Sequence, residues 1–151
     1  MSSTSAPFGL RPAFHPSGLD RASALADGIL STYSVDILKG QPVKMATGGV
    51  IQVAAAGDAF LGAFSGVEFT DTTGRRRVSN SWPANTAYQT GSCIAYFYAD
   101  QNIVYEIQAD GTLGQSAVFQ TFAQWGGDAG IILGVQPNTL YKIRVIAKPG
   151  A

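Results

Sequence analysis

Along the run LYKIRVIAKPG, apolar and polar positions alternate with a period of two: Tyr141, Ile143 and Val145 point one way, Lys142 and Arg144 the other. That pattern predicts a β-strand with one buried face and one wet or paired face. The same pattern recurs upstream. YSVDILKGQPVKMATGGVIQVAAAGDAFLGAFSGVEF sets short runs of Val, Ile and Phe between glycine-containing turns, with KGQP and TGG as tight connections. In SCIAYFYADQNIVYEIQADG two runs of high β-propensity flank ADQN, which predicts a hairpin. Within it Ile103, Tyr105 and Ile107 fall on one face, with Val104, Glu106 and Gln108 on the other. In the YFY run Tyr96 and Tyr98 share a face and Phe97 opposes them. Short strands separated by Gly, Asp and Asn turns, with 18 glycines in all, predict an all-β fold: an antiparallel β-barrel or β-sandwich.

Residues 1–33 follow a different pattern. Pro7, Gly9, Pro12, Pro16 and Gly18 interrupt the segment too often for a regular element to propagate. It reads as an extended N-terminal arm, anchored by Phe8, Leu10, Phe14 and Leu19. Toward its end RASALADGIL allows a short helix, with Asp20 as N-cap and Gly28 as stop. The expected division is therefore an arm over 1–33 and a β-barrel or β-sandwich domain over 34–151. A chain of 151 residues with 46% hydrophobic content can bury one cooperative core.

Composition narrows the chemistry. Ten basic and ten acidic residues cancel, so no net field favours polyanions. Only 13% of the residues are charged, against about 25% in an average soluble domain, which suggests that much of the surface meets protein. The lone Cys93 cannot form an internal disulfide and is expected as a small core residue. No segment reads as an export signal or a membrane span.

Catalytic constellations are not evident. The one histidine, His15, lies in the proline-rich arm, where a base is hard to position, and reads as a surface or interface residue. The aspartates sit in turn-like contexts, where their usual partners are local backbone groups. Glu68 and Glu106 lie in strand-like runs with nothing to link them. Neither a Cys/His cluster nor a calcium loop is present, and TGGV and WGGDAG lack the context of a phosphate loop. The expectation is a protein that is not an enzyme and has no catalytic residues, cofactor or metal. The YFY run has no basic strand beside it in sequence, so its aromatics read as core and interface residues and no nucleic acid is expected as a partner.

One local feature stands out. DTTGRRRVSN places Arg75, Arg76 and Arg77 together after a turn, and the strand they begin sends Arg75 and Arg77 to one face and Arg76 to the other. Three guanidiniums in a neutral chain are too few for a nucleic-acid site. Guanidinium is weakly hydrated and pairs with carboxylates bidentately, which suits a protein interface; a solvated hairpin tip fits the sequence equally well.

The order of these elements resembles the small β-rich head proteins of tailed bacteriophages, and in particular the capsid decoration, or cement, family. The matching residues are Gly9, Arg11 and Pro12 in the arm; Gly40, Pro42 and Val43; Leu61, Gly62, Phe64, Gly66, Val67 and Phe69; Asp71, Thr72, Gly74 and Trp82; and Gln108, Ala109, Asp110 and Gly111. They span about two-thirds of the chain and are turn residues and hydrophobic positions. The resemblance implies an all-β structural protein of the virion. It would sit on the capsid exterior after assembly in the host bacterial cytoplasm, stapling neighbouring major capsid protein subunits and often forming a homotrimer, with no membrane partner. It also implies interface roles for Phe8, Leu10, Arg11 and Phe14, clamping a neighbour, and for Arg75, Arg76 and Arg77, pairing with carboxylates. Two alternatives stand beside it: another phage structural component, of the tail or fibre base, and a carbohydrate-binding β-sandwich with Trp82, Trp125 and Tyr98 as an aromatic platform.

Overall fold

The computed structural model describes residues 9–15, 22–55, 58–100, 102–108, 121–124, 128–136 and 140–146. Among them the regular structure is all strand: β1 (Arg11–Phe14), β2 (Ser23–Ala26), β3 (Pro42–Ala46), β4 (Val50–Val53), β5 (Gly62–Thr70), β6 (Arg76–Ser79), β7 (Ile94–Tyr98), β8 (Val104–Gln108), β9 (Thr121–Gln124), β10 (Asp128–Gln136) and β11 (Leu140–Ile146). Every pairing between them is antiparallel. The strands form a five-stranded sheet in the order β1-β8-β11-β10-β9 and a six-stranded sheet in the order β2-β7-β5-β3-β4, with β6 on β5. Neither order closes on itself, so the fold is all-β and antiparallel, with open sheets and no closed barrel among the described residues.

The chain divides into two compact units, one made of residues 1–20, 55–60 and 100–151 and the other of residues 21–54 and 61–99. The second holds the six-stranded sheet, and its centre is β5. A bulge between Phe64 and Gly66 inserts one extra residue against β7. Residues three apart on a regular strand face opposite sides, so the bulge is what lets Phe64 and Val67 both enter the core, followed by Phe69. Ile29, Ile37, Val43, Ile51, Trp82, Cys93, Ala95 and Phe97 complete that core. Beside the bulge, β5 and β7 approach so closely that a Cβ on Gly62 would lie 1.9 Å from the Tyr98 carbonyl oxygen. At the edge of the sheet the Ile51 N–H donates to the Gly28 carbonyl at 2.7 Å, tying β4 to the chain just past β2.

In the first unit β1 pairs with β8, β8 with β11, and β11 with β10 and so with β9. Leu10, Ile103, Val104 and Tyr105 are buried, and Phe60 meets Tyr105 edge-on with ring centroids 6.2 Å apart.

Several expectations stand. KGQP and TGG are turns; the latter joins β3 to β4, with Ala46 opposite Val50. Cys93 is buried in the core, and burial pushes its thiol up to about 11 from 9.0. Phe97 points inward while Tyr96 and Tyr98 are half-exposed.

Others are corrected. The short helix expected over RASALADGIL is strand β2, whose residues pair with β7 from Ser23↔Phe97 to Ala26↔Ile94; an available sheet edge outweighs local helix propensity. Gly28 is no helix stop: a Cβ there would lie 2.9 Å from the Ala95 Cβ, so it marks a close approach within the sheet. The Asp20 N-cap lies outside the described residues. β7 and β8, read as two arms of one hairpin, exist as strands but belong to different sheets. Both edges of β7 are taken by β2 and β5, and those of β8 by β1 and β11. Asp100 in the intervening ADQN accepts the Asn102 N–H at 2.8 Å, so the segment does turn, but as a passage between sheets.

Candidate binding edge at the arginine turn

The turn between β5 and β6 is built by one carboxylate. Asp71 Oδ1 accepts the Thr73 N–H at 3.0 Å, the Thr73 hydroxyl at 2.6 Å and the Arg75 N–H at 2.9 Å. Its Oδ2 accepts Arg77 Nε–H at 2.9 Å. The Asp71 N–H donates to the Arg75 carbonyl at 2.9 Å and the Gly74 N–H to the Asp71 carbonyl at 3.0 Å. Gly74 sits at φ 86°, a left-handed conformation that glycine adopts without steric cost. These donors hold the Asp71 carboxyl far below its usual range, the Thr73 hydroxyl first, then the Arg75 N–H and the Arg77 guanidinium.

The three arginines then part company. Arg76 opens β6 and lies opposite Thr70. Its guanidinium donates to the Ser92 carbonyl at 2.9 Å and the Thr70 hydroxyl at 3.3 Å, and pairs with Glu68 at 3.2 Å. Glu68 also accepts the Tyr96 hydroxyl at 2.7 Å. That bond lowers the glutamate's pKa, with Arg76 adding to the effect, and raises the tyrosine's. Arg77 engages Asp71 through Nε. Arg75 lies in the turn, ahead of the strand, with its backbone N–H on Asp71 and its guanidinium making no hydrogen bond or ion pair among the described residues. Two carboxylates face three guanidiniums, so one positive charge is left over, and Arg75 carries it.

β6 pairs only with β5 among the described strands, and Arg76, Arg77 and Val78 are all exposed. Val78 is 79% exposed, the most open of the large apolar side chains among the described residues. The sequence reading missed Val78, Glu68 and Tyr96 as parts of this surface. Strand alternation places Val78 on the face of Arg76, two residues before it. No local signal joins Glu68 to Tyr96, or Arg76 to Ser92.

The arm residues fare differently. Phe8 lies outside the described residues. Leu10 is 2% exposed within its own chain. Arg11 pairs with Glu106, its register partner on β8, at 2.5 Å. Phe14 ends β1. The structure therefore brings Arg75, Arg76 and Arg77 together at one edge and puts Leu10, Arg11 and Phe14 at β1 in the other unit. His15, expected at a surface or interface, is buried at 8% exposure and bonds Asp100 through Nε2 at 2.6 Å. The carboxylate, 85 residues away in sequence, makes burial of the imidazole tolerable.

An aromatic sugar platform loses a member here. Trp82 is fully buried, edge-on to Phe69 at 5.7 Å and to Tyr88 at 5.9 Å; Trp125 lies outside the described residues. Among the described residues no three His, Cys, Asp or Glu side chains gather as metal ligands. Comparison with protein-family models, curated proteins and solved structures finds no match to this chain.

Proposed function

We propose that this protein is an adhesive structural component of a tailed-phage head, a cement protein that binds the capsid exterior and joins neighbouring major capsid subunits. The observation that carries the reading is the β6 edge: a 79%-exposed Val78 and an Arg75 guanidinium that, among the described residues, has no partner, on a strand with no second neighbour among the described strands. A combination of apolar and guanidinium surface is what protein interfaces select. The sequence resemblance adds to it. Its matched residues Gly62, Phe64, Val67, Phe69, Asp71, Gly74 and Trp82 are among those that build β5, the turn and the core around them in this chain, so the residues that carry the resemblance are ones on which this sheet depends.

Binding is the whole activity on this reading. A protein that recognises only the expanded lattice adds RT ln(1 + [L]/Kd) to the stability of that lattice against internal pressure. Contacts repeated around a homotrimer would multiply weak individual sites by avidity. The test is to mix purified protein with undecorated expanded heads and measure co-sedimentation together with the temperature of particle rupture. Binding with a raised rupture temperature supports the proposal; no binding and no stabilisation would end it.

A further inference from the structure

We propose that the outer edge of β6 is a strand-docking site, which takes an acidic, extended segment of a partner protein as an added strand. The inference deepens the adhesive reading above and rests on it for the identity of the partner.

Backbone direction comes first. The Asp71 N–H donates to the Arg75 carbonyl, and pairing runs on from there as Thr70↔Arg76, Phe69↔Arg77, Glu68↔Val78 and Val67↔Ser79. In an antiparallel ladder, opposed pairs alternate between exchanging their hydrogen bonds and directing them outward. With Asp71 and Arg75 bonded, Phe69 with Arg77 and Val67 with Ser79 are the bonded pairs. Arg76 and Val78 then turn their N–H and C=O groups away from β5. Thr70 supports this phase from the other side: its N–H goes to the Ser92 hydroxyl and its carbonyl accepts the Gln89 N–H, both away from β6. The outward groups of Arg76 and Val78 lie on an exposed edge, and an unpaired row of this kind is the template that β-augmentation uses.

Charge selects the occupant. Arg75 has its whole guanidinium uncommitted, and Arg77 uses only Nε toward Asp71. Both can donate N–H groups to a carboxylate of an incoming strand. A second copy of this chain fits poorly, because pairing β6 with β6 brings two arginine runs together. A wholly apolar strand would cover the Arg75 guanidinium and the terminal N–H groups of Arg77 without giving them acceptors. On the opposite face of the strand the exposed side chain of Val78 offers an apolar contact.

The probes are three seven-residue peptides: one alternating Glu and Val, one alternating Gln and Val, and the Glu/Val peptide N-methylated along one edge. Binding to the full chain is followed by fluorescence anisotropy at several salt concentrations. The Glu/Val peptide is expected to bind at least about tenfold tighter than either control. Val78→Pro removes an N–H that does not serve β5, so circular dichroism and melting should stay native while binding is lost. Arg75→Ser should weaken binding about three- to tenfold and reduce its salt dependence. Should Val78→Pro fail to fold, the N-methylated peptide decides the backbone question alone. Equal binding of the three peptides, or binding of none, overturns the inference and leaves the arginines as guards of an exposed edge. Self-association in sedimentation velocity that Val78→Pro abolishes would overturn it in favour of a second copy. On expanded heads, a Val78→Pro protein that decorates like the wild type overturns this docking mode while the cement reading stands. A wild type that binds the Glu/Val peptide but not heads overturns the cement reading alone.

Discussion

Arg77 and Asp71 face each other across the β5–β6 turn, the arginine Nε–H donating to the aspartate Oδ2 at 2.9 Å. The same carboxylate holds Thr73 and the Arg75 N–H, so part of the arginine run serves the fold. Arg76, bonded to Glu68, Thr70 and Ser92, does likewise. The uncommitted Arg75 guanidinium and the terminal N–H groups of Arg77 are what a partner can reach, and the three arginines should not behave alike on substitution. Arg75→Ser should leave the melting temperature within about a degree of wild type, since exposed unpaired charges contribute little to stability. Arg76→Ser should lower it, because Glu68 loses its cation and the Ser92 carbonyl a donor. Thermal melts of the two variants side by side make the comparison; equal melting temperatures would contradict it.

Asp71 gives a pH signature. Its folded-state pKa is depressed below the ordinary aspartate value of 3.8, so its contribution to stability is present above that value and is lost as pH falls toward the depressed one. Asp71→Asn keeps a side-chain acceptor but has no charge to lose. Wild type should melt higher than Asp71→Asn from pH 5 to 7, and the gap should narrow steadily as pH drops below about 4. A gap that is constant from pH 2 to 7 would show that the carboxylate charge does not hold this turn.

Two glycines separate backbone strain from steric collision. A Cβ at Gly62 would lie 1.9 Å from the Tyr98 carbonyl oxygen and 2.6 Å from its carbon, which are backbone atoms that cannot rotate away. Gly62→Ala should therefore cost about 3 kcal/mol or more by forcing β5 and β7 apart. Gly48, at φ +94°, has nothing within 4 Å of such an atom, so Gly48→Ala should cost about 1 kcal/mol of conformational strain alone. Urea unfolding of both proteins measures the difference.

What was legible in the sequence was local. The TGG and DTTG turns, the opposed faces of Tyr96 and Phe97, and the burial of Cys93 depend on neighbours a few residues away. Strand partnership does not. Arg11 finds Glu106 and His15 finds Asp100 across 95 and 85 residues, and no spacing rule relates them. β7 and β8 read as a hairpin because each has the composition of a strand, whereas the available sheet edges decide which strands meet. Ser23–Ala26 shows the same limit, as an alanine-rich stretch becomes a strand once β7 offers it an edge. At the binding edge, the arginines announced themselves by charge, but Glu68, Ser92 and Tyr96 could join them only through the register of three strands.

Trp82 tests the core of the second unit. Its backbone bridges to Ile37 in both directions, at 2.8 and 2.9 Å, and its ring packs on Phe69 and Tyr88. The indole N–H is buried with no hydrogen-bond acceptor, so replacing it leaves no acceptor unpaired. Trp82→Phe should cost about 1–2 kcal/mol for lost volume, and Trp82→Ala about 3–5 kcal/mol. Urea midpoints for the pair measure this; a Trp82→Phe protein as unstable as Trp82→Ala would mean that the indole nitrogen has a structural role.

The N-terminal segment divides at β1. Leu10 and His15 are buried, Arg11 is paired with Glu106, and β1 covers one edge of β8. Deleting residues 1–19 removes all of these, leaving Asp100 without its histidine and β8 with a bare edge, so it should destabilise the first unit by several kcal/mol. Deleting residues 1–8 spares them. If Phe8 clamps a neighbouring subunit, the shorter deletion should lower occupancy on expanded heads while the melting curve stays that of the full chain. Unchanged occupancy with residues 1–8 absent would remove Phe8 from the interface and leave attachment to the arginine edge.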